Sequence, residues 1–361
     1  STQQETLFPY TTLFRSGFNN TGDEAILAAL IEGLKQNFAN PEIVILSAEP
    51  GFSTNLHQVQ AVNRSDFKAV RRELKQADIL ISGGGSLLQD VTSLKTIPYY
   101  LGIIVLAKLL GTAVYFLAQG VGPVNNSLNQ RLIASVLNRV DLITVRDNQS
   151  RALLKEWGVQ QRIEVTADLV FTLRAEGQGK RILEEEGLDF KEPLLAVSVR
   201  PWGDNSYLAE VAEALDRLSR EFAILLIPFH EPDDMEVSQL LAQQMRAEVN
   251  LIEGSYEPPE ILALIDYSDL LLGVRLHSLI FAAAVTTPLV GISYDPKIDN
   301  FLGQLGLEPV GDVNSLAANR LYEVVVETWS GADGRLCREQ VQRLRDLAEL
   351  NFALMLKKSG D

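Results

Sequence analysis

The sequence predicts an α/β protein made of two Rossmann-like, doubly wound parallel-sheet domains facing a cleft. Three observations predict it. Apolar runs of strand length alternate with amphipathic helical runs along most of the chain, the pattern of strands joined by helical crossovers. That alternation fails once, over the charged and glycine-bearing stretch Arg174 to Pro193, and then resumes. The length of 361 residues suits two domains at a prior of about 150 residues each.

The elements follow in order. Strands are expected at Glu42–Ser47, Ala77–Ser82, Thr112–Ala118, Asp141–Arg146 and Ile163–Asp168, with helices at Asp23–Phe38, Ser127–Arg139 and Asn148–Trp157 between them. Thr21 with Glu24, and Ser127 with Gln130, have capping-box spacing at two helix starts. Gly158 occupies the position where a left-handed residue ends a helix. The longest apolar stretch, Ile97 to Gly122, is interrupted by Gly102, Lys108 and Gly111 and turns β-branched and aromatic in its second half. It reads as a buried helix followed by a buried strand, not as a membrane span.

In the second half, strands are expected at Leu194–Arg200, Ala223–Pro228, Val249–Gly254, Leu270–Arg275 and Leu289–Tyr294. Helices are expected at Asn205–Arg220, Asp233–Met245, Pro258–Tyr267, Leu276–Val285 and Lys297–Gly306. The domains are then 17–173 and 194–314, joined by a linker at 174–193 and followed by C-terminal helices at 315–361 that pack back across the junction.

Composition excludes several function classes. Lys and Arg number 32 against 47 Asp and Glu, for a net charge of −15. Nonspecific nucleic-acid binding needs a positive surface to displace counterions, so no nucleic-acid partner is expected. An anionic substrate would have to be met by a local group of cations working against the global field. The single cysteine, Cys337, excludes an internal disulfide and cysteine-based metal sites. Neither a Gly-x-Ser-x-Gly elbow, a P-loop nor a His-x-x-x-His pair is present, and no metal site is expected.

Loops at strand ends are where a parallel sheet places chemistry. In the first half, Gly83-Gly84-Gly85-Ser86 follows an apolar strand, and Gly84, Gly85 and Ser86 are candidates to cradle an anion through backbone N–H groups; a tight strand-to-helix turn is the plainer explanation. Asn19, Asn20, Thr21 and Asp23 are hydrogen-bonding groups at a helix start, and Gln119 lies in a third glycine-bearing loop at the same edge. In the second half the cations gather: Arg200, Arg275 and Lys297 each follow a strand, as Arg146 does in the first. Singly such side chains are solvated surface groups; together at equivalent strand ends they favour anion binding. His277 lies between Arg275 and Lys297 at a helix start. His230 and Glu231 follow another strand and suit an acceptor contact or a cap, whereas His57 reads as surface.

Five segments taken in order, Gly17–Glu24 (GFNNTGDE), Gly83–Ser86 (GGGS), Ala118–Pro123 (AQGVGP), Thr144–Asp147 (TVRD) and Gly273–Ser278 (GVRLHS), resemble the polysaccharide pyruvyltransferase family, in particular its bacterial subgroup acting on cell-wall polysaccharide that anchors surface-layer proteins. The resemblance runs from Gly17 to about residue 310. It implies a fold like that of the two-domain GT-B glycosyltransferases, and transfer of a pyruvyl group from phosphoenolpyruvate, as co-substrate and without a cofactor, to a sugar diol as a ketal with release of phosphate. It implies His277 as acid/base and Arg146, Arg275 and Lys297 as donor ligands; Arg200 joins them by placement. The glycan acceptor is expected to be carrier-linked, which would put a cytoplasmic enzyme at the inner face of the membrane. The family begins with an apolar strand directly before Gly17, where this chain has Thr11–Ser16 (TTLFRS). Arg15 is costly in a central strand, so residues 1–16 are expected to be a non-native or disordered lead-in.

Two other function classes fit the same features. One is a GT-B glycosyltransferase using a nucleotide sugar, because fold does not fix function. The other is a non-catalytic sugar- or anion-binding protein.

Overall fold

The structure is a computed structural model and describes residues 9–13, 16–85, 87–89, 96–175, 179–331 and 338–359. The chain divides into two compact units. The first holds the described residues up to Phe18, Asp23–Thr172 and the C-terminal segment from Leu344; the second holds Asn19–Gly22 and Leu173–Arg343.

The first unit is built on a seven-stranded parallel sheet. Its strands are β1 (Pro9–Leu13), β2 (Glu42–Ser47), β3 (Gln60–Asn63), β4 (Ile79–Gly83), β5 (Ala113–Gln119), β6 (Leu142–Val145) and β7 (Glu164–Val165), in the spatial order 3-2-1-4-5-6-7. Strand order therefore reverses between β1 and β4, the place where an open α/β sheet leaves a crevice at its carboxyl edge. Helices α1 (Thr21–Asn37), α2 (Pro50–His57), α3 (Phe67–Gln76), α4 (Thr96–Leu110), α5 (Ser127–Leu137) and α6 (Asn148–Glu156) make the crossovers. The β4 strand is buried throughout, as a strand covered on both faces must be.

The expectation of a disordered lead-in is corrected over Pro9–Leu13. Pro9–Leu13 pairs in parallel with both β2 and β4 at the middle of the sheet. Tyr10, Thr11 and Thr12 are buried, and β-branched and aromatic residues suit that environment. The described strand ends at Leu13; Phe14 and Arg15 lie outside the described residues.

Other details depart from expectation. The N-cap of α5 is Asn126, whose side chain accepts from the Leu128 and Asn129 amides, not the Ser127–Gln130 box. The Glu24 carboxylate reaches back to Gly17 and not to a capping box with Thr21. Ile97–Gly122 divides into α4 and β5, and no helix among the described residues is long and apolar enough to cross a membrane.

The second unit carries a six-stranded parallel sheet of β8 (Leu194–Ser198), β9 (Ala223–Leu226), β10 (Asn250–Leu251), β11 (Leu270–Gly273), β12 (Leu289–Ser293) and β13 (Gly311–Asp312). The order 10-9-8-11-12-13 repeats the reversal, now between β8 and β11. Its helices are α7 (Gly179–Glu185), α8 (Tyr207–Leu218), α9 (Asp233–Gln244), α10 (Pro258–Tyr267), α11 (Leu276–Val285), α12 (Pro296–Gln304) and α13 (Ala318–Ser330). The stretch expected as linker contains α7: Ile182 and Leu183 are buried, and Gly179 lies so near α10 that an added Cβ would stand 2.6 Å from that of Tyr267. The last helix, α14 (Arg338–Ser359), gives its later part to the first unit. There Asn351, fully buried, accepts from the Thr144 hydroxyl at 2.6 Å and the Thr166 hydroxyl at 3.1 Å.

Candidate functional site

In the second unit, the sequence-predicted cations do collect at the carboxyl edge. Ser198 of β8 and Gly273 of β11 are register partners. Arg200 and Arg275 stand two residues beyond each, flanking the reversal of strand order, and Lys297 follows β12 beside β11.

Their electrostatic circumstances differ. Arg275 is the N-cap of α11, and Asp234, fully buried, takes its guanidinium on two oxygens: Nε donates to Oδ2 at 2.8 Å and Nη2 to Oδ1. Asp234 is itself held by the Phe229 amide at 3.2 Å. A bidentate pair of this kind fixes the guanidinium plane and neutralises much of its charge. Arg200 has no carboxylate partner among the described residues. It is half-buried, its guanidinium 4.2 Å from the centre of the Tyr294 ring and 5.7 Å from that of Trp202. Lys297 Nζ stands 5.4 Å from the same Tyr294 ring and 3.6 Å from Asp295. Two cations thus stand about one aromatic ring, a local concentration of positive charge that favours an anion nearby. The backbone of Arg200 is fixed by Tyr207, whose hydroxyl donates to the Arg200 carbonyl at 2.6 Å. Burial pushes that phenol up to about 12.

His277 is the second residue of α11 and half-buried. Its ring lies against Gly22: a Cβ there would stand 2.7 Å from His277 Cβ and nearer still to Cγ and Nδ1, and Nε2 is closed off from solvent. The segment bearing Gly22 is held by a short backbone ladder. Thr21 N–H donates to the Phe229 carbonyl at 2.8 Å, Asn20 bridges His230, and Glu231 N–H donates to the Asn19 carbonyl at 3.1 Å. The structure therefore brings Asn19, Asn20, Thr21, His230 and Glu231 together. His230 Nδ1 also lies 3.3 Å from Asp233.

The first unit is less permissive to an anion. Gly84 N–H is engaged by the Leu117 carbonyl at 3.0 Å, and Gly85 accepts from Gly120 at 2.8 Å. Both glycines have positive φ, and the Asp23 carboxylate packs on Gly85, 2.9 Å from where a Cβ would sit. The glycines serve the tight turn and the close approach of that carboxylate. Ser86 lies outside the described residues. Gln119 is fully buried, its amide donating to the Ser82 carbonyl at 2.8 Å. It staples adjacent strands and presents nothing at the surface. Arg146 is 7% exposed, bonded to Asp168 at 2.9 Å, with Gly120 against its guanidinium.

Sequence reasoning read His57 as surface, and the structure corrects it. His57 is buried, its Nε2 2.8 Å from the equally buried Glu24 carboxylate, which also takes the Gly17 amide at 2.8 Å and the Ser16 hydroxyl at 3.1 Å. This network fixes the loop after β1. Arg64 was likewise not singled out, and Asp234, read with Asp233 as a weak metal candidate, instead holds the Arg275 guanidinium. No group of three or more His, Cys, Asp or Glu that could hold a metal occurs among the described residues.

The family model for polysaccharide pyruvyl transferase matches residues 20–296. The chain belongs to the polysaccharide pyruvyl transferase family. A relative is the amylovoran biosynthesis protein AmsJ of Erwinia amylovora, 24% identical over 267 residues, 68% of this chain and 63% of that one; the chain thus matches under two thirds of its relative's length. Among solved structures, the UDP-GlcNAc 2-epimerase of Neisseria meningitidis bound to UDP-GlcNAc matches with a TM-score of 0.63 at 13% identity, over 97% of this chain and 100% of that one. Anabaena HepE with UDP-glucose matches with a TM-score of 0.60 at 13% identity, over 95% of each chain. At such identities the likeness is one of fold, the GT-B fold of two parallel sheets flanked by helices, which this pyruvyl transferase family member shares.

Proposed function

We propose that this protein transfers a pyruvyl group from phosphoenolpyruvate to two hydroxyls of a polysaccharide precursor, forming a ketal and releasing phosphate. The observation that carries the reading is the pair of cations about Tyr294. Arg200 and Lys297 form a cationic patch in a chain of net charge −15, and a donor bearing both a carboxylate and a phosphate is what such a patch suits. Family membership supplies the reaction class.

The chemistry assigns roles to the neighbours. The first hydroxyl oxygen bonds C2 of the enol as C3 takes up a proton. The second hydroxyl oxygen then bonds C2, its proton leaving as the C2–O bond to phosphate breaks. One proton gained at C3 and one delivered to phosphate balance the two lost by the diol. His277 relays these protons, a contribution of typically about 10²–10⁴-fold. Arg200 and Lys297 hold the acidic groups and stabilise the departing phosphate. Arg275, locked on Asp234, fixes the start of α11 and hence the imidazole. The paired loops of Asn19–Thr21 and His230–Glu231 offer hydrogen bonds to the acceptor.

The test is phosphate release from phosphoenolpyruvate with a panel of lipid-linked or aryl-tagged disaccharides. His277→Ala is expected to abolish release while leaving the circular dichroism unchanged; near-normal turnover in that variant defeats the reading. Thermal stabilisation by nucleoside diphosphates and none by phosphoenolpyruvate would favour a nucleotide-sugar transferase. Binding of phosphoenolpyruvate without phosphate release from any acceptor would favour a binding protein.

A further inference from the structure

Arg64 lies at the carboxyl edge of the first unit, directly after β3, and takes no part in the site just described. It is half-buried, and its guanidinium carbon stands 4.6 Å from the centre of the Tyr99 ring, 5.4 Å from Tyr100 and 5.5 Å from Phe18. Among the described residues its guanidinium donates from Nη1 to the Tyr100 hydroxyl at 3.3 Å and is also hydrogen-bonded with the Tyr99 side chain. No carboxylate among the described residues pairs with it, although the chain has 47 acidic residues against 32 basic ones. A guanidinium has five N–H donors, so part of this fork is without an acceptor among the described residues. Aromatic faces stabilise the cation and leave its hydrogen bonding unmet.

The group is rigidly built. Arg64 N–H donates to the Ser47 carbonyl at 2.9 Å, and its carbonyl accepts from the Tyr99 hydroxyl at 2.8 Å. Phe18 is 38% exposed on the loop after β1, which Glu24 clamps through the Gly17 amide. Gly17 has a φ of +82° and so little room that a Cβ would stand 2.6 Å from the Glu49 nitrogen. The guanidinium stands over the partly exposed Phe18 ring, and both are carried on fixed backbone at the sheet edge where α/β units bind ligands.

We propose that Phe18 and Arg64 form an acceptor subsite for a pyranose bearing an anionic substituent. The apolar C–H face of the sugar packs on the Phe18 ring, and the fork takes a phosphate ester or carboxylate bidentately. The ring requirement distinguishes this ligand from phosphoenolpyruvate, which has an anion and no apolar face. That the ligand is the acceptor rests on the pyruvyl-transfer reading; the binding itself does not.

Ligand-observed NMR titration of the full chain tests it. The probes are the 1-phosphates of glucose, galactose, mannose and N-acetylglucosamine, with glucuronate, the matching methyl glycosides, inorganic phosphate and UDP. At least one sugar phosphate or glucuronate is expected to bind, and which of the two binds distinguishes ester from carboxylate. Arg64→Gln is expected to weaken that ligand about 10- to 100-fold, Phe18→Ala to weaken it comparably, and Arg64→Lys, which keeps the charge, to lie between. Methyl glycosides and inorganic phosphate are expected to bind at least tenfold more weakly. The proposal is overturned if no sugar anion binds, if Arg64→Gln and Arg64→Lys bind it as tightly as the parent, or if UDP or inorganic phosphate binds as well and is equally sensitive to Arg64. Phosphate release from phosphoenolpyruvate, run on the same preparations, separates the two readings. Turnover with an acceptor KM unchanged in Arg64→Gln removes the subsite and keeps pyruvyl transfer. Arg64-dependent sugar-anion binding without turnover keeps the subsite and removes pyruvyl transfer.

Discussion

Replacing Gly22 with alanine probes His277 without touching its chemistry. Gly22 lies in the first turn of α1 at an ordinary helical φ, so an added methyl meets no backbone strain. Helix propensity alone would make the change stabilising by about 0.5–1 kcal/mol. The new Cβ would nevertheless stand 2.7 Å from His277 Cβ, against about 3.5–4.0 Å for an ordinary carbon contact. The shortfall is roughly 1 Å at Cβ and larger at Cγ and Nδ1, and because Cβ and Cγ do not move with χ2, rotation of the ring cannot relieve it. Overpacking of that size costs about 1–3 kcal/mol, partly offset by the helix gain. A displacement of about 1 Å at a catalytic group can cost 10²-fold in rate. Gly22→Ala is therefore expected to lower kcat for phosphate release about 10²-fold while the melting temperature moves by only a few degrees. Gly22→Ala with near-parental kcat and an unchanged melt would refute either the packing of the ring or its part in the reaction. A crystal structure of the variant would tell which.

Four further outcomes are expected. Arg200→Gln should raise the KM for phosphoenolpyruvate by about tenfold or more with the acceptor KM unchanged, measured by initial rates. Asp234→Asn, which leaves the Arg275 guanidinium without its counter-charge, should destabilise by about 3–5 kcal/mol in urea titration; His57→Leu, which strips a donor from buried Glu24, should cost about 1–3 kcal/mol. The Tyr207 phenol, raised to about 12 in the folded chain against about 10 unfolded, lends stability that is complete below pH 10 and disappears as the pH rises towards 12. Tyr207→Phe should start about 1 kcal/mol less stable at neutral pH and lose less across that alkaline window.

What the sequence made legible is what local pattern controls. Apolar runs marked β2, β4, β5, β8, β11 and β12, because strands buried on both faces have no polar side to hide. Since all of them run parallel, the residues after each strand could be placed at one edge before any coordinates, which located Arg200, Arg275, His277 and Lys297. The polar β3 and the helices α2 and α3 were missed. An edge strand lacks the continuous apolar run, and with β3 went the reason to look at Arg64. The first strand, Pro9–Leu13, was set aside because of Arg15 two positions on in the sequence.

The tertiary structure alone decided which charges are available. Asp234 lies 41 residues from Arg275, Glu24 lies 33 from His57, and Tyr294 lies far along the chain from Arg200. Whether a strand-end cation meets a carboxylate or an aromatic face depends on which loops the strand order makes neighbours, and composition is silent on that. Periodicity settled the two parallel sheets because burial acts on each segment separately. The contacts that set apart Arg200 and Arg64 from Arg146 and Arg275 join segments remote in sequence, and only the folded chain brings those together.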